Sequence, residues 1–120
     1  MWAIGNIAGD SPTYRDLILK AGGIEPIIAL LNGAKNKSII KIGTWALSNC
    51  CRGKPLPDFE HVYKAVPVLC QVLIKETQYE IITDAAWAMS YLSDGGNECI
   101  KMILDTGLVN GLLRFLKLDT

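Results

Sequence analysis

Apolar residues recur along this chain with a helical period, interrupted at intervals by turn signals, and no stretch alternates with period two. Helices without strands are therefore expected. Trp2 to Asp10 reads as a first helical piece. The Ser-Pro-Thr run at Ser11 opens a helix to Ala21, which Gly22-Gly23 stops, and Ile24 to Leu31 follows with Pro26 tolerated in its first turn. Asn32 to Asn36 reads as a loop. A longer helix runs from about Lys37 to Cys51, ended by Arg52-Gly53 and the breaker run Lys54-Pro55-Leu56-Pro57. The cycle then returns, with a short helix near Asp58 to Lys64, a second from Ala65 to Lys75 and a long one from Gln78 to Ser93. After Asp94-Gly95-Gly96 come Asn97 to Asp105 and Leu108 to Leu118.

The same order of helices reflects a repeat in the residues themselves. WAIGNIAGD at Trp2, WALSNCCRG at Trp45 and WAMSYLSDG at Trp87 set the three tryptophans 43 and 42 residues apart. A second register agrees, with Pro26, Pro67 and Asn110 at equivalent places. Short, short and long helices at this interval resemble the armadillo repeat, so an all-α, right-handed armadillo α-solenoid of about 2.8 units is expected. Residues 1–10 would be the third helix of one unit, 11–53 and 54–95 two full units, and 96–120 the first two helices of another. Cut within a repeat at both ends, the sequence reads as a piece of a longer array. Apolar stripes such as Leu108, Leu112, Leu113 and Leu116 are then expected to favour self-association.

On a helical wheel of the segment 37–51, Ala46, Ile39, Cys50, Gly43, Leu47, Ile40 and Cys51 fill one arc. Trp45 lies nearly opposite, beside Lys41, Ser48, Asn49 and Arg52. Trp87 repeats the arrangement, with Glu80, Thr83, Asp84, Tyr91 and Asp94 as neighbours. In the first unit Ile4 and Ile7 point one way, Trp2 and Asn6 the other. An indole that recurs in a repeat ordinarily serves core packing, but a ladder of exposed indoles among polar residues marks a binding surface. Asparagine four residues after tryptophan shares its face, at Trp2/Asn6 and Trp45/Asn49, and the pairing lapses at Trp87/Tyr91.

Such a face suits an extended basic peptide. Amide side chains can bond the N–H and C=O of a strand laid along it. Slots between indoles one repeat apart can take the apolar stem and cationic head of lysine or arginine. Asp10, eight residues after Trp2, and Asp84, three before Trp87, flank the ladder with charge to complement such heads. Glu80 and Asp94 are further candidates. Lys41 and Arg52 pull the other way, and Arg52 is expected to pair with an acid of the adjoining repeat.

Composition narrows the alternatives. Half of the 120 residues are apolar, which excludes a disordered tail. Twelve basic and twelve acidic side chains cancel, so neither nucleic acid nor a membrane surface is favoured as partner. No apolar run approaches the length of a membrane span and no signal sequence is evident, so the chain reads as soluble and intracellular. Cys50, Cys51, Cys70 and Cys99 lack a C-x-x-C spacing and His61 is the only histidine. Buried reduced thiols are expected, with neither a metal site, a disulfide framework nor a cofactor. No nucleophile or phosphate-loop signature accompanies His61, so the chain is read as no enzyme.

WAIGNIAGDSPTYRD, TWALSNCCRGK and DAAWAMSYLSDG together resemble consecutive units of importin-α (karyopherin-α), at about the third to fifth repeats. The resemblance implies an adaptor that binds lysine- and arginine-rich nuclear localisation signals and shuttles between cytoplasm and nucleus. It makes Trp2, Trp45 and Trp87 walls of the signal groove, and Asn6 and Asn49 its backbone clamps. Asp10 and Asp84 become acids contacting basic residues, with Glu80 and Tyr91 as weaker counterparts. Ile42 departs from the polar residue many members carry there. Importin-β would engage only through a segment these residues do not contain, and a signal peptide would be held only in part. An armadillo scaffold for other ligands is the alternative; such scaffolds usually rely on basic grooves, whereas acids flank this ladder.

Overall fold

The computed structural model describes residues 1–107 and Leu113. The described residues form helices α1 (Trp2–Asp10), α2 (Pro12–Lys20), α3 (Ile24–Gly33), α4 (Lys37–Cys51), α5 (Phe59–Val62), α6 (Ala65–Lys75), α7 (Tyr79–Ser93) and α8 (Asn97–Asp105), and no strand. The expected helix from Leu108 to Leu118 lies outside the described residues apart from Leu113.

Where boundaries differ from the sequence reading they do so by one or two residues, and the N-terminal shifts follow the caps. Ser11 is the N-cap of α2, its hydroxyl accepting from Tyr14 N at 3.2 Å, and Pro12 opens the helix without losing a useful donor. Asn36 caps α4 through Ser38 N at 2.8 Å, and Asp58 caps α5 through Glu60 N at 3.2 Å. The short helix expected from Asp58 to Lys64 is thereby reduced to Phe59–Val62. At the other end α2 closes with bonds from Gly22 N to Leu19 O and from Gly23 N to Ile18 O. That pair needs a left-handed residue at Gly22, whose φ is 77°, and only glycine adopts it without strain.

The tryptophan helices α1, α4 and α7 lie side by side, with α4 in the middle. Helices α3 and α6 pack behind α4 and α7 and against each other, and α8 closes on α6 and α7. Between the layers lies one core, in which Ile27, Ala46, Leu47, Val66, Leu69, Ile81 and Ala85 are fully buried. The same core takes up Cys50, Cys51 and Cys70, and these and the buried Cys99 are free thiols. Burial pushes the Cys50 thiol up to about 12, which leaves it protonated and unreactive at neutral pH.

Arg15 is the largest fully buried side chain. Its guanidinium donates to the carbonyls of Arg52 (2.9 Å), Gly53 (3.1 Å) and Pro55 (2.7 Å) and is ion-paired with Asp16 at 2.9 Å. A buried charge is tolerated only when its donors are met, and this one meets them on the stretch that ends α4. The end of α4 is thus fixed from the loop side as well as through the core.

Candidate functional site

The exposed edges of α1, α4 and α7 form one face. Trp2 and Trp87 are 63% and 56% exposed, as expected of a ladder, but Trp45 is half-buried against the core. A wheel drawn for one helix has a single buried arc, whereas α4 is flanked on both sides. Ser48 and Thr44, which a wheel leaves at the edge of the polar side, are buried for that reason. Ile7, expected to point inward, is half exposed, so the apolar side of α1 is not fully covered.

Two glycines on α1 receive two side chains of α4. A methyl group at Gly5 would overlap the indole of Trp45, and one at Gly9 would stand 2.9 Å from Asn49 Nδ2. Asn49 Nδ2 donates to Gly5 O at 3.0 Å. Gly5/Gly9 and Trp45/Asn49 are both i, i+4 pairs, so the helices meet one turn against one turn. Asn49 therefore spends one donor within the fold and keeps its carbonyl oxygen and second N–H for other bonds. Asn6 on α1 is exposed.

The sequence reading placed an open slot between successive indoles. Instead Trp2 and Trp45 touch, with ring centroids 5.8 Å apart and planes inclined at 48°. An alkyl stem between two ring faces needs about 7–8 Å, twice a carbon contact distance, so this slot is closed. The cause is the glycine seat, which draws Trp45 towards α1 beneath Trp2. Trp87 stacks on Tyr91, centroids 6.0 Å apart and planes 26° from parallel, and makes no ring contact with Trp45.

Asp10 is exposed and lines an open concavity of about 350 Å³ with Asn6, Ile7 and Tyr14. On its other side Asp10 shares a small cavity with Arg52, but no ion pair joins them among the described residues. The expected partnership of Arg52 with a neighbouring acid is not formed among the described residues. Asp94, the other outlying acid, lies 3.4 Å from Lys54.

The second group of acids is organised by a cation. Lys41 Nζ on α4 lies 2.5 Å from Glu80 Oε2 on α7. Lys41 is one turn before Trp45, while Glu80 and Asp84 fall on the face of α7 that carries Trp87. The hydrogen bond and charge of Lys41 hold the Glu80 carboxyl below its ordinary range and raise the Lys41 ammonium. Asp84 is half-buried, and burial, aided by the charge of Glu80, raises its carboxyl against the pull of Lys41.

Of the nine residues proposed for the face, α1 supplies Trp2, Asn6 and Asp10, α4 supplies Trp45 and Asn49, and α7 supplies Glu80, Asp84, Trp87 and Tyr91. Two side chains at the face were not among them. Tyr14 belongs to α2, outside the wheels drawn for the tryptophan helices, and Lys41 gains its meaning only from Glu80, 39 residues on. A larger concavity of about 530 Å³ lies elsewhere, between α3 and α6, and none of the nine lines it.

Comparison with known proteins agrees with this architecture. Residues 11–52 match the Armadillo/beta-catenin-like repeat family. Importin subunit alpha-2 of Arabidopsis thaliana is 47% identical over 117 residues, 98% of this chain and 22% of the relative. Importin subunit alpha-1b of Oryza sativa subsp. japonica is 47% identical over 116 residues, 97% of this chain and 22% of the relative. The chain thus spans about a fifth of these relatives. Among solved structures, an engineered protein superposes with a TM-score of 0.83 at 30% identity, covering 96% of this chain and 46% of its own. A designed armadillo repeat protein in complex with peptide (KR)4 superposes at 0.80, covering 93% and 46%; at 22% identity that likeness concerns the fold alone. An armadillo match in the sequence, an armadillo fold and near-half identity along almost the whole chain place it in the importin-α family of armadillo-repeat proteins.

Proposed function

We propose that this chain is the peptide-holding part of a nuclear import adaptor, binding extended lysine- and arginine-rich nuclear localisation signals across α1, α4 and α7 and moving between cytoplasm and nucleus. The function is one of binding, with no catalytic step. The observation that carries it is the run of exposed aromatic and acidic side chains, Trp2, Asp10, Glu80 and Trp87, with Asp84 half-buried among them, on one face of a solenoid homologous to importin-α subunits. Asn6 and the free groups of Asn49 bond the peptide backbone, and Tyr91 buttresses Trp87. Basic side chains lie over the indoles with their heads towards Asp10 at one end and Glu80 and Asp84 at the other. Since Trp2 rests on Trp45, a stem enters that slot only by swinging Trp2, which sits in the first turn of α1 and is mostly exposed.

The test is binding of a fluorescent peptide bearing a short lysine run. Micromolar or weaker affinity is expected, with Trp45→Ala and Asp10→Lys each weakening it about 3- to 30-fold, the range of a cation–π contact or a partly exposed charge contact. Binding indifferent to both changes removes the assignment. A lysine-to-alanine scan of the peptide separates signal recognition from a scaffold of broader taste, the reading to which Lys41 and Arg52 on the face would lend themselves.

A further inference from the structure

The face carries its own cation. Lys41 reaches from α4 to Glu80 on α7, beside the interval between Trp45 and Trp87, and its charge also acts on Asp84. Side-chain exposures of 52% and 68% show that the Lys41–Glu80 pair stands at the surface where a ligand would lie. Lysine at this position offers Glu80 the same group that a basic peptide residue would offer. Nothing comparable guards the other end of the face, where Asp10 has no ion-pair partner among the described residues. Taken together, Lys41, Glu80 and Asp84 carry one net negative charge, where the two acids alone would carry two.

We propose that Lys41 is a specificity-determining residue, an internal competitor that satisfies Glu80 and thereby relaxes the demand for a basic ligand residue at the Trp45–Trp87 interval. The inference rests on the reading of this face as a binding site for extended basic peptides. A ligand lysine arriving there must take Glu80 from Lys41, leaving the Lys41 ammonium without its carboxylate, so the exchange gains little. An apolar or neutral residue can lie on the indole of Trp87 without disturbing the pair. Demand for positive charge is thereby concentrated at the Asp10 end, and the face reads a peptide asymmetrically.

The experiment is a lysine-to-alanine scan of one fluorescent basic peptide against the unaltered 120-residue chain, Lys41→Met and the control Lys35→Met, which removes an exposed charge elsewhere. Methionine keeps an apolar stem and abolishes the ammonium; Lys41→Gln serves as a second variant, and circular dichroism checks the fold of each. In the unaltered chain, alanine at the peptide position facing the Trp45–Trp87 interval should weaken binding by less than about fivefold. In Lys41→Met and Lys41→Gln the same substitution should cost about tenfold or more, because Glu80 and Asp84 are then unopposed. Other positions should respond as before, and the Lys35→Met profile should match that of the unaltered chain. Identical profiles in all proteins overturn the proposal, as does a uniform gain of affinity equal to that of Lys35→Met. If the unaltered chain ignores every lysine of the peptide and also Trp45→Ala, the binding reading itself fails.

Discussion

Three charged side chains, Lys41, Glu80 and Asp84, show how position overrides residue type. The two carboxylates sit one turn apart on α7, yet their acidities move in opposite directions. Glu80 is lowered by the hydrogen bond and charge of Lys41, and Asp84 is raised by burial and by Glu80. For Glu80 the folded state holds its proton less tightly than the unfolded one, so its contribution to stability is present above its ordinary value and fades as pH falls through the lowered one. For Asp84 the sign reverses, and folding becomes more favourable as pH falls through the raised value. Carboxyl titration followed by NMR should accordingly find Asp84 above the ordinary aspartate range and Glu80 below that of glutamate. In Lys41→Met both should move upward, since each loses a cation. A Glu80 that stays low in that variant would show that Lys41 is not what holds it.

At the scale of elements, the contact between α1 and α4 depends on what α1 lacks. Gly5 and Gly9 open the space that Trp45 and Asn49 fill. An exposed helical Gly→Ala ordinarily gains about 1 kcal/mol through propensity. At Gly5 the added methyl meets an indole already confined by Trp2 on one side and the core on the other, and overpacking of this kind costs about 1–3 kcal/mol. The overlap should win, so Gly5→Ala should lower stability in urea by about 1 kcal/mol and weaken peptide binding; a stabilised Gly5→Ala would mean that the ring swings free at no cost. This contact also marks the limit of what could be read without coordinates. The helices, their order and the common face of Trp2, Trp45 and Trp87 follow from periodicity, caps and a repeat of 42 to 43 residues, all local signals. Half-burial of Trp45, closure of the Trp2–Trp45 slot and the Lys41–Glu80 pair are properties of neighbouring helices. A wheel drawn for α4 contains neither Gly5 nor Glu80. Arg15 shows the same limit, since a lone arginine in a short helix gives no sign of the three carbonyls some 40 residues away that allow its burial.

Ion pairs connect the two full units, 11–53 and 54–95, in a repeating way. Lys37–Glu76, Lys41–Glu80 and Glu25–Lys64 join residues 39 apart, about one helical turn short of the tryptophan spacing, so the two full units are linked at shifted positions along the solenoid. Because acids and bases balance overall, little long-range field would draw in the proposed basic ligand, and its affinity would have to come from contacts on the face itself. Neighbouring helices in such a layer are spaced about 8–10 Å, which puts Trp2 and Trp87 roughly 16–20 Å apart. An extended peptide crosses that distance in about six residues. Affinity for oligolysines should therefore rise up to about six residues and then level off, apart from a gain of about twofold from additional registers. Titrations with peptides of four, six, eight and ten lysines at fixed ionic strength read this directly. A plateau whose height falls on Trp87→Ala is the signature of a bounded face. A steady gain with every lysine up to ten, unaltered by Trp87→Ala, would belong instead to diffuse attraction between a polycation and scattered acids, which needs no ladder at all.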